Sequence, residues 1–278
     1  MIGHGAAYAS RNAPFEKGRW RLGSLAYRMI DGDAARDRRV VRTRHGFDMA
    51  LDLAQFVDRT IYCTGEWEPH ETAVIRRVLR AGDTFVDVGA NIGYFSLLGA
   101  NLVGPCGRVH AFEANPATAC LLQTNLDRNG AANVAVHALA VGEEAGQATI
   151  HEPEDGNMGS DFASPCAGGS GGLQVRMDRI DAVVKAERVR LIKLDIEGGE
   201  AKALRGARGL LADANAPDLL FEYAPSLLER AGDNGGELLE WLRGLGYALH
   251  EIAVHDGGDR GRDAVQTYYH ATKGRAVS

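Results

Sequence analysis

The chain predicts an α/β fold: a doubly wound, mostly parallel sheet with an antiparallel last strand. Three observations carry that expectation. From Thr84 onward, short apolar runs alternate with segments of helical periodicity, the pattern of parallel strands joined by crossover helices. The first run, "TFVDVG", enters the helical segment "YFSLLGANL" through a glycine-containing turn, and such turns face the ligand crevice of open parallel sheets. The last two runs, "YALHEI" and "QTYYHAT", are separated by "AVHDGGDRGRDAV", which suits a hairpin loop and has no room for a crossover helix.

In chain order, the remaining strand candidates are "RVHAFEA", "VAVHALAV", "RLIKLDIEG" and "DLLFEY", which makes seven in all. "NPATACLLQTNLDRNG" reads as a helix with Asn115 as N-cap, Pro116 at the first helical position and Gly130 beyond its end. A second helix is expected from about Glu200 to Asp213, with Leu204, Ala207 and Leu211 forming one buried stripe. Ahead of the core, "VVRTRHGFDMALDL" reads as a small strand or hairpin. "HETAVIRRVLR" carries Val74, Ile75, Val78 and Leu79 at helical spacing. Residues before about Val40 give no structural signal. The organisation expected is an extension over 1–80 packing on a binding domain over 81–278. The Gly- and Ser-rich stretch Pro153 to Gly172 is an insertion outside the packed core, read as a lid over the site.

A chain of 278 residues with 45% hydrophobic content can bury a core of its own. The formal net charge of -6 opposes a broad nucleic-acid surface, which needs concentrated Lys and Arg. Cys63, Cys106, Cys120 and Cys166 lie far apart with no C-x-x-C pair, so neither a zinc site nor a disulfide framework is written. The first twenty residues hold no continuous apolar stretch, and no run approaches the length of a membrane span. A cytoplasmic protein with no membrane partner is expected, and a homo-oligomer is compatible with the sequence.

Gly89 and Gly93 sit in the turn after the first core strand, where glycine permits otherwise closed dihedrals and lets a ligand approach the main chain. A purely structural use of the two glycines is the alternative. The next strand ends at Glu113, about 20 residues on, where nucleotide-binding units place an acid on the ribose. The competing role for Glu113 is capping of the helix at Asn115. A dinucleotide fingerprint reads G-x-G-x-x-G, whereas "GANIGYF" has Asn91 at the second glycine. Asp87 before the turn would oppose a diphosphate and suits a ligand with an amino group and a sulfonium. S-adenosylmethionine therefore fits better than NAD.

"FVDVGANIGYFS", "VHAFEANP", "LIKLDIEGGEAKALRGA" and the upstream "GEWEPHE" resemble the FkbM family of S-adenosylmethionine-dependent methyltransferases, from about Thr60 to His270. The resemblance implies a seven-stranded methyltransferase fold with a reversed last strand. It implies methyl transfer to a hydroxyl, or sometimes an amine, of a sugar-like or polyketide-like small molecule. It assigns Asp87, Gly89, Ala90, Asn91 and Gly93 to the cofactor loop, Glu113 with Ala114 and Asn115 to the ribose side, and Ala138 and Leu139 to the adenine border. Glu68 in "GEWEPHE" would close the site from above.

Methyl transfer is an in-line displacement that rests on alignment, and an alcohol acceptor benefits from a base within hydrogen-bond reach. Asp195 in "LDIEGGE" and Glu222 in "FEYAP" end neighbouring strand candidates at the edge where such a base belongs. Asp195 is the first candidate, and it also borders the cofactor. Two such acids raise each other's pKa by repulsion. Glu200 reads as a structural acid in a helix's first turn. The spacing of the acids compels no metal site, and none is assigned. No N-P-P-Y or D-P-P-Y segment follows the fourth main strand, which disfavours methylation of a nucleic-acid base amine. His110 and His137 read as packing residues, His151 as the histidine to test as a base, and the arginines of "ARDRRVVRTRH" as a solvated surface. An N-methyltransferase of an amino sugar, an NAD-dependent oxidoreductase and a silent nucleoside-binding module are the competing functions.

Overall fold

The computed structural model describes residues 2–13, 19–30, 37–151, 162–165, 172–185, 188–256 and 265–274. Two helices open the chain, α1 (Ile2–Asn12) and α2 (Arg19–Ile30), in a region whose sequence gave no signal. An antiparallel hairpin follows, β1 (Arg38–Arg42) with β2 (Asp48–Asp52), as the pattern before the core predicts. Helices α3 (Phe56–Thr64) and α4 (Pro69–Val78) complete the extension. Val74, Ile75, Val78 and Leu79 are all buried, as their spacing requires.

The core then alternates strand and helix: β3 (Thr84–Val88), α5 (Tyr94–Val103), β4 (Arg108–Phe112), α6 (Pro116–Arg128) and β5 (Val134–His137). Helix α6 has Asn115 as N-cap, its side chain accepting from the Ala117 N–H at 2.9 Å. The run "VAVHALAV" is not one strand. It breaks after His137, and Ala140–Val141 forms β6 in a second sheet with β7 (Gly146–His151), β8 (Phe162–Pro165) and β9 (Leu173–Asp178), in the order β6-β9-β7-β8. Residues 162–165, inside the stretch read as a lid, thus pair with β7. The rest of that stretch, apart from Gly172, lies outside the described residues.

After α7 (Ile180–Val183) come β10 (Val189–Leu194), α8 (Glu200–Arg205), α9 (Arg208–Ala212) and β11 (Asp218–Tyr223). The helix expected over 200–213 is therefore split. At the break, the Gly206 carbonyl accepts from the Asp181 N–H at 3.1 Å, and a Cβ at Gly206 would lie 2.1 Å from the Gly142 carbonyl oxygen. The apolar stripe survives the break: Leu204, Ala207 and Leu211 are fully buried. Helices α10 (Pro225–Arg230) and α11 (Gly235–Gly244) lead to β12 (Tyr247–Asp256) and β13 (Val265–Lys273).

The main sheet has the order β12-β13-β11-β10-β3-β4-β5. Pairings among β11, β10, β3, β4 and β5 are parallel, while β13 runs antiparallel to both β11 and β12. The sheet is covered on both faces. One face carries Phe85, Ala111, Leu191 and Leu220 against α4, α5 and the N-terminal elements. The other carries Val86, Phe112, Ile192 and Phe221 against α8, α9 and α11. No helix among the described residues is long and apolar enough to cross a membrane.

Candidate active site

The carboxyl ends of β3, β4, β10 and β11 bring together most of the residues expected at a site. In the turn after β3, Gly89 has φ +81° and Gly93 φ +96°, and Asn91 between them also takes the left-handed conformation at φ +48°. The Gly89 and Ala90 N–H groups both donate to the Phe112 carbonyl, at 3.0 and 2.9 Å, tying the turn to β4. Close packing adds a second demand for glycine. A Cβ at Gly89 would sit 1.9 Å from the Asp195 carbonyl oxygen, and one at Gly93 would sit 2.5 Å from Leu122 Cδ1.

Glu113 follows β4 and accepts from two backbone N–H groups, Asn91 to Oε2 and Asn115 to Oε1, each at 2.9 Å. One carboxylate thus joins the turn to the start of α6, and its position is fixed by the main chain on both sides. Ala114 packs beside Ala140 and Ala148 of the second sheet. Leu139 is buried with Phe112, whereas Ala138 is exposed.

Asp87 is fully buried on β3, and its Oδ2 accepts from Ser96 Oγ of α5 at 2.6 Å. It stands in register with Lys193 of β10. Burial raises the Asp87 pKa, opposed by Lys193 and by the Ser96 hydrogen bond. Lys193 is itself 2% exposed; its Nζ lies 3.2 Å from Asp195 Oδ2 and 4.7 Å from the centroid of the Phe95 ring. Burial lowers the ammonium's pKa, but Asp195, Asp87 and Glu68 outweigh it and raise the pKa overall. Lys193 was legible in "RLIKLDI" as a charge within an apolar strand, where a cation needs a partner. Neither it nor Ser96 was anticipated.

The loop after β10 is organised by Glu200, which accepts from the Ile196 N–H at 2.9 Å and the Gly198 N–H at 3.0 Å. Glu197 in this loop has φ +53°. Burial, partly offset by the hydrogen bonds from the Ile196 N–H and its own backbone, raises the Glu200 pKa to about 7. On β11, Glu222 is 2% exposed and stands in register with Tyr268 of β13. Burial first, then Asp195, Glu197, Glu200 and Glu68, push its pKa well above the usual carboxylate range. The Tyr268 hydroxyl donates to Glu68 Oε1 at 3.2 Å, bringing the N-terminal extension to this edge. Glu68 itself holds φ +39° at the entry to α4. The result is an edge rich in carboxylates around a buried lysine.

Several other candidates lie elsewhere. His110 Nδ1 and His137 Nε2 are 3.0 Å apart in a stacked pair, with His137 also against Phe112. Arg38, Arg39 and Arg42 pair with Asp52, Asp37 and Asp48. No group of three or more His, Cys, Asp or Glu among the described residues is placed to hold a metal ion.

Residues 87–249 match the family described as Methyltransferase FkbM domain. The 31-O-demethyl-FK506 methyltransferase FkbM of Streptomyces tacrolimicus is 29% identical over 228 residues, covering 70% of this chain and 82% of that protein. Methyltransferase 1 of Beauveria bassiana (strain ARSEF 2860) is 29% identical over 173 residues, 54% of this chain and 67% of that protein. Among solved structures, Aeropyrum pernix fibrillarin in complex with natively bound S-adenosyl-L-methionine aligns over 87% of this chain and 86% of that chain. The identity there is 15% and the TM-score 0.43.

Proposed function

This chain belongs to the FkbM methyltransferase family, and from that premise we propose that it is an S-adenosylmethionine-dependent methyltransferase acting on a hydroxyl of a sugar-like or secondary-metabolite acceptor. The observation that carries the reading is the carboxyl-rich edge: the Gly89 to Gly93 turn is bonded to Glu113 and packed against Asp195, and Glu222 is buried on the strand next to that of Asp195. Carboxylates in low-dielectric surroundings favour a cation and oppose a diphosphate, so this donor set fits a sulfonium with an amino group. The same charge argues against an NAD-dependent oxidoreductase. A relative's named substrate, 31-O-demethyl-FK506, is the basis for a hydroxyl acceptor.

In this reading the turn receives the methionine portion, and Glu113, held by two main-chain N–H groups, meets the ribose hydroxyls. Leu139 borders the adenine. The donor supplies an electrophilic methyl group on a positively charged sulfur. The protein aligns the acceptor oxygen, and the acids at the ends of β10 and β11 accept its proton. Residues 1–80 form an extension that closes the site through Glu68, anchored by Tyr268.

The test has two stages. Calorimetry is expected to show S-adenosylmethionine and S-adenosylhomocysteine binding, with NAD much weaker. Incubation with S-adenosylmethionine and a panel of polyol, glycoside and cyclohexanol-bearing acceptors is then followed by mass spectrometry for the gain of one methyl group on oxygen. Equal or tighter NAD binding would overturn the methyl-donor reading. A methyl found only on nitrogen would overturn the hydroxyl assignment.

A further inference from the structure

We propose that Glu222 is the group that receives the acceptor's proton, and that its charge is set by whether a sulfonium occupies the site. The inference rests on the methyl-donor reading above. Asp195, the first candidate base in the sequence, becomes the residue that holds Lys193 in place.

Two observations separate the two acids, and a third places both of them at the site. The first is the partner each one has. Asp195 holds the Lys193 ammonium at 3.2 Å, and that cation is further committed to the Phe95 ring and placed in register with Asp87. Glu222 is the deeper of the two, at 2% exposed against 22% for the Asp195 side chain, yet its Oε2 has no hydrogen-bond partner among the described residues. The second is what faces Glu222. From the loop after β10 come Asp195, Glu197 and Glu200, from the entry to α4 comes Glu68, and from the paired strand β13 comes Tyr268. Lys193 and Asp87 complete the set on β10 and β3. Every group facing Glu222 except Lys193 and the Tyr268 phenol is a carboxyl, so without a ligand burial and repulsion hold its proton in place.

The third is strand direction. Glu222 and Asp195 each follow a paired position, Phe221 and Leu194. Side chains alternate along a strand, so both acids fall on the face that carries Leu220 and Lys193. A cation entering there is close to both. A positive charge within about 4 to 6 Å favours the ionised carboxyl by a factor of about 10 to 1000, which drives the Glu222 proton toward solvent.

The charge cycle then matches the reaction. The acceptor oxygen bonds to the methyl carbon, the C–S electron pair goes to sulfur to leave a neutral thioether, and the acceptor's O–H proton passes to Glu222. The carboxylate loses its stabilising cation in the same step in which a proton needs a home. The proton returns to solvent when the next cationic donor binds.

The test needs no acceptor. Binding of S-adenosylmethionine and of S-adenosylhomocysteine is measured by calorimetry at neutral pH in phosphate and in Tris, whose different ionisation enthalpies reveal the protons exchanged. The parent protein is expected to release about one proton with the sulfonium and essentially none with the thioether. Glu222→Gln is expected to abolish the release and keep thioether affinity, while Asp195→Asn keeps the release. Equal proton counts for the two ligands in the parent would overturn the inference even if Glu222→Gln failed to fold. Loss of the release in Asp195→Asn alone would overturn it too, moving the proton to Asp195. Binding of neither ligand would overturn the methyl-donor reading together with this one.

Discussion

A side chain at Gly89 would place its Cβ 1.9 Å from the carbonyl oxygen of Asp195, so the turn after β3 and the end of β10 touch through their main chains. Asp195 N–H in turn donates to the Val88 carbonyl at 3.1 Å. The glycine turn and the strand end that bears Asp195 are therefore one closely packed unit.

Gly89→Ala is expected to break that unit. The residue sits at φ +81°, which costs an L-residue about 1 to 2 kcal/mol, and the added carbon must push two strands apart. A total loss of about 2 to 5 kcal/mol follows. Urea unfolding of the variant against the parent measures it, and an unchanged midpoint would show that the turn relaxes freely.

Lys193→Met is expected to cost about 3 to 5 kcal/mol, because it leaves the buried Asp87 and the half-buried Asp195 without their shared cation. Lys193→Arg keeps the charge but enlarges the group against Phe95, at a cost of about 1 to 3 kcal/mol. Thermal unfolding of the two variants side by side should rank Met below Arg. The reverse order would mean that volume, not charge, governs the position.

Glu200 gives the fold a pH dependence of stated sign. Its carboxyl loses its proton near 4.5 when unfolded and near about 7 when folded. The stability it contributes is complete below 4.5 and is lost as pH rises through 7. The expected loss is about 3 kcal/mol. Glu200→Gln should flatten the urea midpoint between pH 5 and 8, although it lowers the midpoint at pH 5 because one amide face cannot accept from Ile196 and Gly198 together. A parallel slope in both proteins would remove Glu200 as its source.

Legibility followed the range of the interactions involved. Helix α6 could be read from Asn115, Pro116 and Gly130 because capping is chemistry within a few residues. The hairpin before the core and the antiparallel β13 were likewise visible in local turn composition and loop length. "VAVHALAV" was misread because its apolar alternation runs on through Ala138. The break is imposed by β6 pairing with β9, more than thirty residues later. The helix over 200–213 was misread for the same reason, since its break depends on Asp181 and Gly142 rather than on Gly206 alone. At the site, the glycines and acids were visible by type. The capping alternative for Glu113 at Asn115 is present as a hydrogen bond; what could not be seen was that its other oxygen would hold Asn91, or that Asp87 would turn to Ser96.

The insertion of β13 between β11 and β12 sets an order of events during synthesis. Until residues 265–273 have left the ribosome, β11 presents an unpaired edge and Glu222 has no Tyr268 across from it. Glu68, made some 200 positions earlier, waits just as long for its phenol donor. A nascent chain that stalls anywhere before that point carries an open sheet edge next to a row of unshielded acids. Strand β11 becomes paired on both edges only when nearly every residue of the sheet has been translated.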